Sequence, residues 1–207
     1  MQYWTELSTI GRMDLRGWEE RYATRERPSE DFQTAPTPLV VEVTKYLTPG
    51  RALDLACGTG RNSLWLAEHG WRVTAVDGAP TSIEILRSRA SERGLAVETR
   101  VADLEKGEYR IESSTWNLVI ISYYLERSLF EPAKGGVAPG GILLAIVHVA
   151  EPGEAPTEHR LRPGELRNYF QSWNVLHHYE GKPNDPVHRR SVSEIVVRRP
   201  NLVRNDR

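Results

Sequence analysis

Near the start of the chain, apolar residues recur at helical spacing: Leu15, Trp18 and Tyr22 stand among charges within residues 12 to 24. A breaker-rich link from Pro28 to Pro38 follows, and then a second helix over about Leu39 to Leu47. From Arg51 the rhythm changes, and short apolar runs alternate with helical segments, the pattern of a mostly parallel sheet with helices on both faces. The runs predict strands at 51 to 56, 72 to 76, 96 to 101, 116 to 122, 140 to 149, 173 to 180 and 190 to 199, seven strands in one sheet. Thr81 with Glu84 reads as a capping box, Gly70 and Gly94 as left-handed helix ends, and Leu125-Glu126-Arg127 as the start of a helix after the fourth strand. The expected organisation is a single α/β domain over residues 1 to 199: cap helices over 1 to 48, a Rossmann-like three-layer core over 49 to 199, and a polar tail from Pro200 to Arg207.

Composition narrows the function classes. A chain of 207 residues suits one domain burying roughly 70% of its unfolded surface. A formal charge of -1 gives no global footprint for nucleic acid or anionic lipid. The single cysteine, Cys57, excludes an internal disulfide and a Cys-rich metal site, so no metal is expected and a reducing, cytoplasmic setting is. No secretory signal is read in Met1 to Glu6, and the longest apolar stretch, Gly140 to Ala150, is about half of a membrane span.

Candidate chemistry begins at the end of the first strand, where Leu53-Asp54-Leu55-Ala56 runs into Cys57-Gly58-Thr59-Gly60 and then a helix over Arg61 to His69. Two glycines allow close backbone approach, and the new helix offers unpaired N–H groups at the carboxyl edge of the sheet, where ligands collect. A nicotinamide dinucleotide site would require a glycine three residues after Gly60, and that position is Ser63. Asp54 instead suits the amino end of an amino-acid-bearing ligand, Asp77 the hydroxyls of a ribose, and Asp103 the exocyclic amine of adenine with Leu104 over the ring. Three acids at three successive strand ends favour S-adenosylmethionine. Cys57 reads as a packing residue within the turn, not a nucleophile, and Trp65, Trp71 and Trp116 read as core.

These residues together resemble the class I S-adenosylmethionine-dependent methyltransferases over about residues 40 to 199. Within them, Gly58-Thr59-Gly60-Arg61-Asn62-Ser63-Leu64-Trp65-Leu66-Ala67, and Pro163 to Phe170 followed by Trp173, are similar to the tellurite-resistance methyltransferases. The resemblance implies a seven-stranded sheet in the order 3-2-1-4-5-7-6 with the last strand antiparallel. It implies cofactor contacts by Asp54, Ala56, Gly58, Asp77, Asp103 and Leu104, Ser122 and Tyr123 near the sulfonium, and Trp18 and Tyr22 closing over the top. Gly60, Arg61, Asn62 and Gly78 complete the expected cofactor set. Ala56 departs from the glycine usual at that position.

Methyl transfer from a sulfonium is an in-line displacement, so the protein has to align a nucleophile and exclude water, with a base only if the nucleophile arrives protonated. Tyr123 and Tyr124 end the fourth strand, and alternation sends them to opposite faces. His148 ends the fifth strand, while His159 to Arg162 and His188 to Arg190 lie in two basic loops; Tyr123, His188 and Arg190 are the candidate catalytic residues, His188 and Arg190 by loose likeness to an oxyanion grip. His177 and His178 fall inside a strand, where at least one of them is without function. The acceptor is expected to be small, a thiol, tellurite or selenite. A macromolecule methyltransferase lacks support, because Ser122-Tyr123-Tyr124-Leu125 stands where nucleic-acid enzymes carry Asn-Pro-Pro-aromatic. A cofactor-binding protein without catalysis is the remaining alternative.

Overall fold

The computed structural model describes residues 14 to 25 and 32 to 201; the expected N-terminal segment before residue 14, part of the Pro28 to Pro38 link and the tail beyond 201 lie outside the described residues. The chain runs α1 (Leu15–Thr24), α2 (Pro38–Thr44), β1 (Arg51–Leu55), α3 (Arg61–Glu68), β2 (Arg72–Asp77), α4 (Pro80–Glu92), β3 (Val97–Val101) and β4 (Trp116–Ser122). A short 3-10 turn at Arg127–Leu129 leads into α5 (Phe130–Gly136), β5 (Val137–His148), α6 (Glu165–Asn168), β6 (Asn174–Gly181) and β7 (Val192–Arg198). All seven strands join one sheet in the order β3-β2-β1-β4-β5-β7-β6. Neighbours from β3 to β5 are parallel, and β7 runs antiparallel to both β5 and β6.

The five inner strands are mostly buried because helices cover both sides, the edge strands β3 and β6 are largely exposed, and the pleat sorts the side chains. Leu53, Leu55, Val119, Ile121, Leu143 and Ala145 pack with Phe130, Ala133, Leu166 and Phe170 of α5, α6 and the residues just after α6. Ala52, Leu118, Ile120, Leu144 and Ile146 pack on the opposite face with Leu39 and Val40 of α2 and Leu66 of α3. Trp71 and Trp116 are core, whereas Trp65 is half-buried, stacks on the His69 ring at 3.7 Å and donates to Thr44 Oγ1 at 3.4 Å.

Gly70 and Gly94 adopt φ of 82° and 64°, and the following residues return N–H bonds to the helices, Trp71 to Leu66 and Leu95 to Ala90. Three local expectations are corrected. The helix of residues 39 to 47 ends at Thr44, whose hydroxyl turns back to the Val40 carbonyl at 2.7 Å. After β4 the helix starts later than Leu125, since Glu126 is extended and caps the turn by accepting from Ser128 N–H at 2.9 Å. The Thr81–Glu84 capping box does not form: Ala79 is the N-cap of α4, and Glu19 of α1 accepts from Thr81 N–H at 3.0 Å and from the Thr81 hydroxyl. A carboxylate from another helix thus meets the positive end of α4 and docks the cap helix there.

Candidate active site

Parallel strands bring the ends of β1 to β5 to one edge, and the antiparallel β7 starts at that same edge, so the loop from β6 to β7 also arrives there. At the β1 end the chain turns through Ala56, Gly58 and Gly60, all at positive φ (54°, 54° and 85°). Glycine is required at position 60, where an added Cβ would lie 2.1 Å from Leu86 Cδ1; at 58 it would lie 3.0 Å from the Tyr22 hydroxyl. Ala56, which replaces the glycine usual in the resembling enzymes, is an L-residue held in left-handed backbone at a cost of about 1 kcal/mol. Arg89 of α4 holds the turn from below, donating to Thr59 O at 3.1 Å, Thr59 Oγ1 at 2.9 Å and Phe32 O at 2.9 Å.

The three acids line up along this edge. Asp54 is buried and accepts from Ser63 Oγ at 2.6 Å; burial raises its carboxyl to about 6 in spite of that bond. Asp77 accepts from Gly58 N–H at 2.8 Å and Ala79 N–H at 2.9 Å; burial pushes its carboxyl up and the two bonds oppose the shift. Each of its oxygens keeps a second lone pair. Asp103 is capped by Glu105 N–H at 3.0 Å and paired with Lys106 Nζ at 2.9 Å; partial burial is outweighed by Lys106, and its carboxyl lies below the usual range. Leu104 belongs to the core beside it. A cleft of about 670 Å³ opens between Gly78, Asp103 and α1, whose Leu15 closes on Gly78 and whose Trp18 and Tyr22 rings stack at 6.0 Å. A turn that leaves no room for a Cβ and three spaced carboxylates with free lone pairs fit an aminoacyl nucleoside such as S-adenosylmethionine.

Beside this half, a second cluster forms around Tyr123, at φ 58° and with its N–H on Ile146 O at 2.6 Å. Its hydroxyl donates to Asp185 Oδ2 at 3.2 Å, the His188 ring stacks on it at 3.4 Å, and Arg61 lies over it at 5.5 Å. Asp185 is buried and pairs with Arg61 at 2.7 Å. His148 lies 5.8 Å from the Tyr123 ring and 5.9 Å from His188. Burial lowers both imidazoles, His188 to about 4 in spite of the opposing Asp185; burial and Asp185 raise the Tyr123 phenol far above its ordinary value. At neutral pH the phenol is protonated and both rings are uncharged. Asn62 joins the halves, donating to Ser122 Oγ at 3.1 Å and accepting from Thr37 N–H at 2.9 Å.

Most expected site residues therefore meet at one edge, and some do not. Tyr123 and His188 are in direct contact, while Arg190 is half-exposed and turns to Glu154 at 3.8 Å. Tyr124 packs on the face opposite Tyr123, and burial, followed by the nearby carboxylates Glu105, Glu126 and Asp103, raises its phenol. Cys57 packs beside Leu64 and Leu86. His177 faces Glu194 at 3.0 Å. The sequence reading missed Asp185, Arg89 and Thr37. Each acts on a residue remote in the chain, and only the Asp-Pro step at Asp185-Pro186 marks one of them as a turn.

A family model described as "Tellurite resistance protein TehB" matches residues 28–190. A probable S-adenosyl-L-methionine-dependent methyltransferase TehB from Haemophilus influenzae is 27% identical over 148 residues, covering 68% of this chain and 52% of that protein. A ubiquinone biosynthesis O-methyltransferase of Methylocella silvestris is 32% identical over 124 residues, covering 58% of this chain and 48% of the relative. The crystal structure of TehB from Haemophilus influenzae superposes with a TM-score of 0.71 at 25% identity, covering 87% of this chain and 67% of that one. The chain spans about half the length of the curated relatives it matches. It has the fold of the class I S-adenosylmethionine-dependent methyltransferases, and it belongs to the TehB tellurite resistance protein family.

Proposed function

We propose that this chain transfers a methyl group from S-adenosylmethionine to a small acceptor. The observation that carries the reading is the series Asp54, Asp77 and Asp103 along one edge, with a glycine turn that leaves no space for a Cβ between them. Asp54 would take the methionine ammonium, Asp77 the ribose hydroxyls and Asp103 the adenine amine, with Gly58, Gly60, Gly78, Leu104, Arg61 and the cap residues Trp18 and Tyr22 around them. Bound there, the cofactor supplies a methyl group already activated on sulfonium. An acceptor beside it would supply the lone pair for the new bond to carbon, the carbon–sulfur pair would remain with the cofactor's sulfur, and a proton would leave the acceptor if it carries one.

On the acceptor side, Tyr123 donates a hydrogen bond to Asp185 and so keeps its oxygen in place, and the uncharged His148 and His188 rings are the candidate proton acceptors, His188 a weak one because burial holds it near 4. Thiol, tellurite and selenite are soft nucleophiles suited to this displacement. Isothermal titration with S-adenosylmethionine and S-adenosylhomocysteine tests the donor: saturable binding is expected, weakened about tenfold or more in Asp77→Asn, and no binding at about 1 mM overturns the reading. Tyr123→Phe and His188→Ala should bind the donor and lose transfer; wild-type binding with no transfer to any small acceptor would make the chain a cofactor-binding protein.

A further inference from the structure

A cavity of about 300 Å³ opens at the same edge between the start of α2 and the β6–β7 hairpin, walled by Thr37, Tyr123, Tyr179 and Asp185. The volume suits a ligand of roughly ten heavy atoms. Its wall is net acidic: Glu42, Asp185 and Glu194 line it against Lys182, with Asp185 paired to Arg61, Glu194 meeting the His177 ring at 3.0 Å and Lys182 held by Glu151. The arginine beside it, Arg61, is committed to Asp185 at 2.7 Å, and Arg190, the arginine expected to grip an oxyanion, points to Glu154. Thr37 gives a second, independent sign of a ligand. It is 1% exposed, its Oγ1 has no hydrogen-bond partner among the described residues, and it forms part of the cavity wall. A buried hydroxyl without a partner is costly in a folded chain unless something polar comes to it.

We infer that this cavity is the acceptor site and that its acceptor is a small organic amine or aminothiol carrying no negative charge, with Thr37 Oγ1 and the Glu42 and Glu194 carboxylates as its polar partners. The inference rests on the methyltransferase reading and narrows it, since it removes the oxyanions tellurite and selenite and keeps nitrogen and sulfur nucleophiles. An oxyanion in this cavity would meet three carboxylates and one lysine with no arginine in the wall, whereas an ammonium would find net opposite charge and aromatic walls from Tyr123 and Tyr179. The cavity touches Tyr123, which follows Ser122 and its bond to Asn62, so an acceptor seated there lies next to the donor half.

Two probes of one shape and opposite charge test this. The chain saturated with S-adenosylhomocysteine is titrated calorimetrically with benzylamine, with benzoate and with sodium selenite. Benzylamine is expected to bind at least about tenfold more tightly than either anion, and Glu42→Gln with Glu194→Gln to remove most of that difference while circular dichroism and donor binding are unchanged. Anion binding equal to or tighter than benzylamine, no benzylamine binding at about 10 mM, or a preference that survives both substitutions would overturn the inference. Donor binding is read first, and the three titrations are repeated without it, so failure of the donor reading and failure of the acceptor reading give different results. Thr37→Val, which keeps the volume and removes the hydroxyl, should weaken benzylamine several-fold without moving the donor affinity.

Discussion

The two halves of the carboxyl edge are held in different ways. On the proposed donor side each acid is satisfied by backbone or side chains close by in the fold: Asp77 by Gly58 and Ala79, Asp103 by Glu105 and Lys106, Asp54 by Ser63. On the proposed acceptor side Tyr123, Arg61, Asp185 and His188 satisfy one another across as many as 124 residues of chain, and the Thr37 hydroxyl is left without a partner among the described residues. The first arrangement is set as soon as β1, β2 and β3 pair. The second exists only when the β6–β7 loop has come home, so its integrity depends on one buried ion pair more than on strand order.

Four substitutions put that contrast under strain. Gly60→Ala should have the largest effect, about 3 kcal/mol of lost stability, because a Cβ would meet Leu86 and the residue would hold φ of 85°; urea denaturation reads it, and a loss under about 1 kcal/mol would mean the turn is less rigid than its geometry implies. Asp54 comes next. Its folded carboxyl titrates near 6 against an ordinary 3.8, so the folded state binds the proton more tightly and stability falls as pH rises through that interval. Asp54→Asn should therefore be about 2 to 3 kcal/mol more stable than wild type at pH 7, with little gain at pH 4, and should bind S-adenosylhomocysteine worse. A gain in stability coupled to a loss of affinity would mark a carboxylate kept for its ligand.

Asp185→Ala breaks the other half. Arg61 would lose its partner while only 15% exposed, at a cost of about 2 kcal/mol, and transfer should fall while donor affinity changes less than about threefold. If donor affinity collapses as well, the halves are one unit and the contrast fails. Ala56→Gly is the smallest change. Relief of left-handed backbone outweighs the greater chain entropy of glycine by about 0.5 kcal/mol, read as a small rise in melting temperature.

The same division governs what the sequence reveals. Strands of β1, β4 and β5 are apolar on both faces and stand out as runs, and the donor acids fall at their ends or at the ends of β2 and β3, so sheet order, glycine turn and acids are legible. The errors come where a tertiary partner replaced a local one. At α4, Glu19, 62 residues before Thr81, takes the place expected of Glu84. Asp185 looked like an ordinary loop acid because Arg61 is too far away in sequence to suggest the pair.

The reversal of β7 has a consequence for how such a protein can change. Because that strand enters the sheet from the opposite end, the segment of residues 182 to 191 is delivered to the reaction edge on a hairpin that touches β5 alone among the parallel strands. It behaves as an interchangeable part. Apart from Asp185, which Arg61 and Tyr123 hold, residues there can be exchanged, lengthened or recharged while β1, β2 and β3 keep their register.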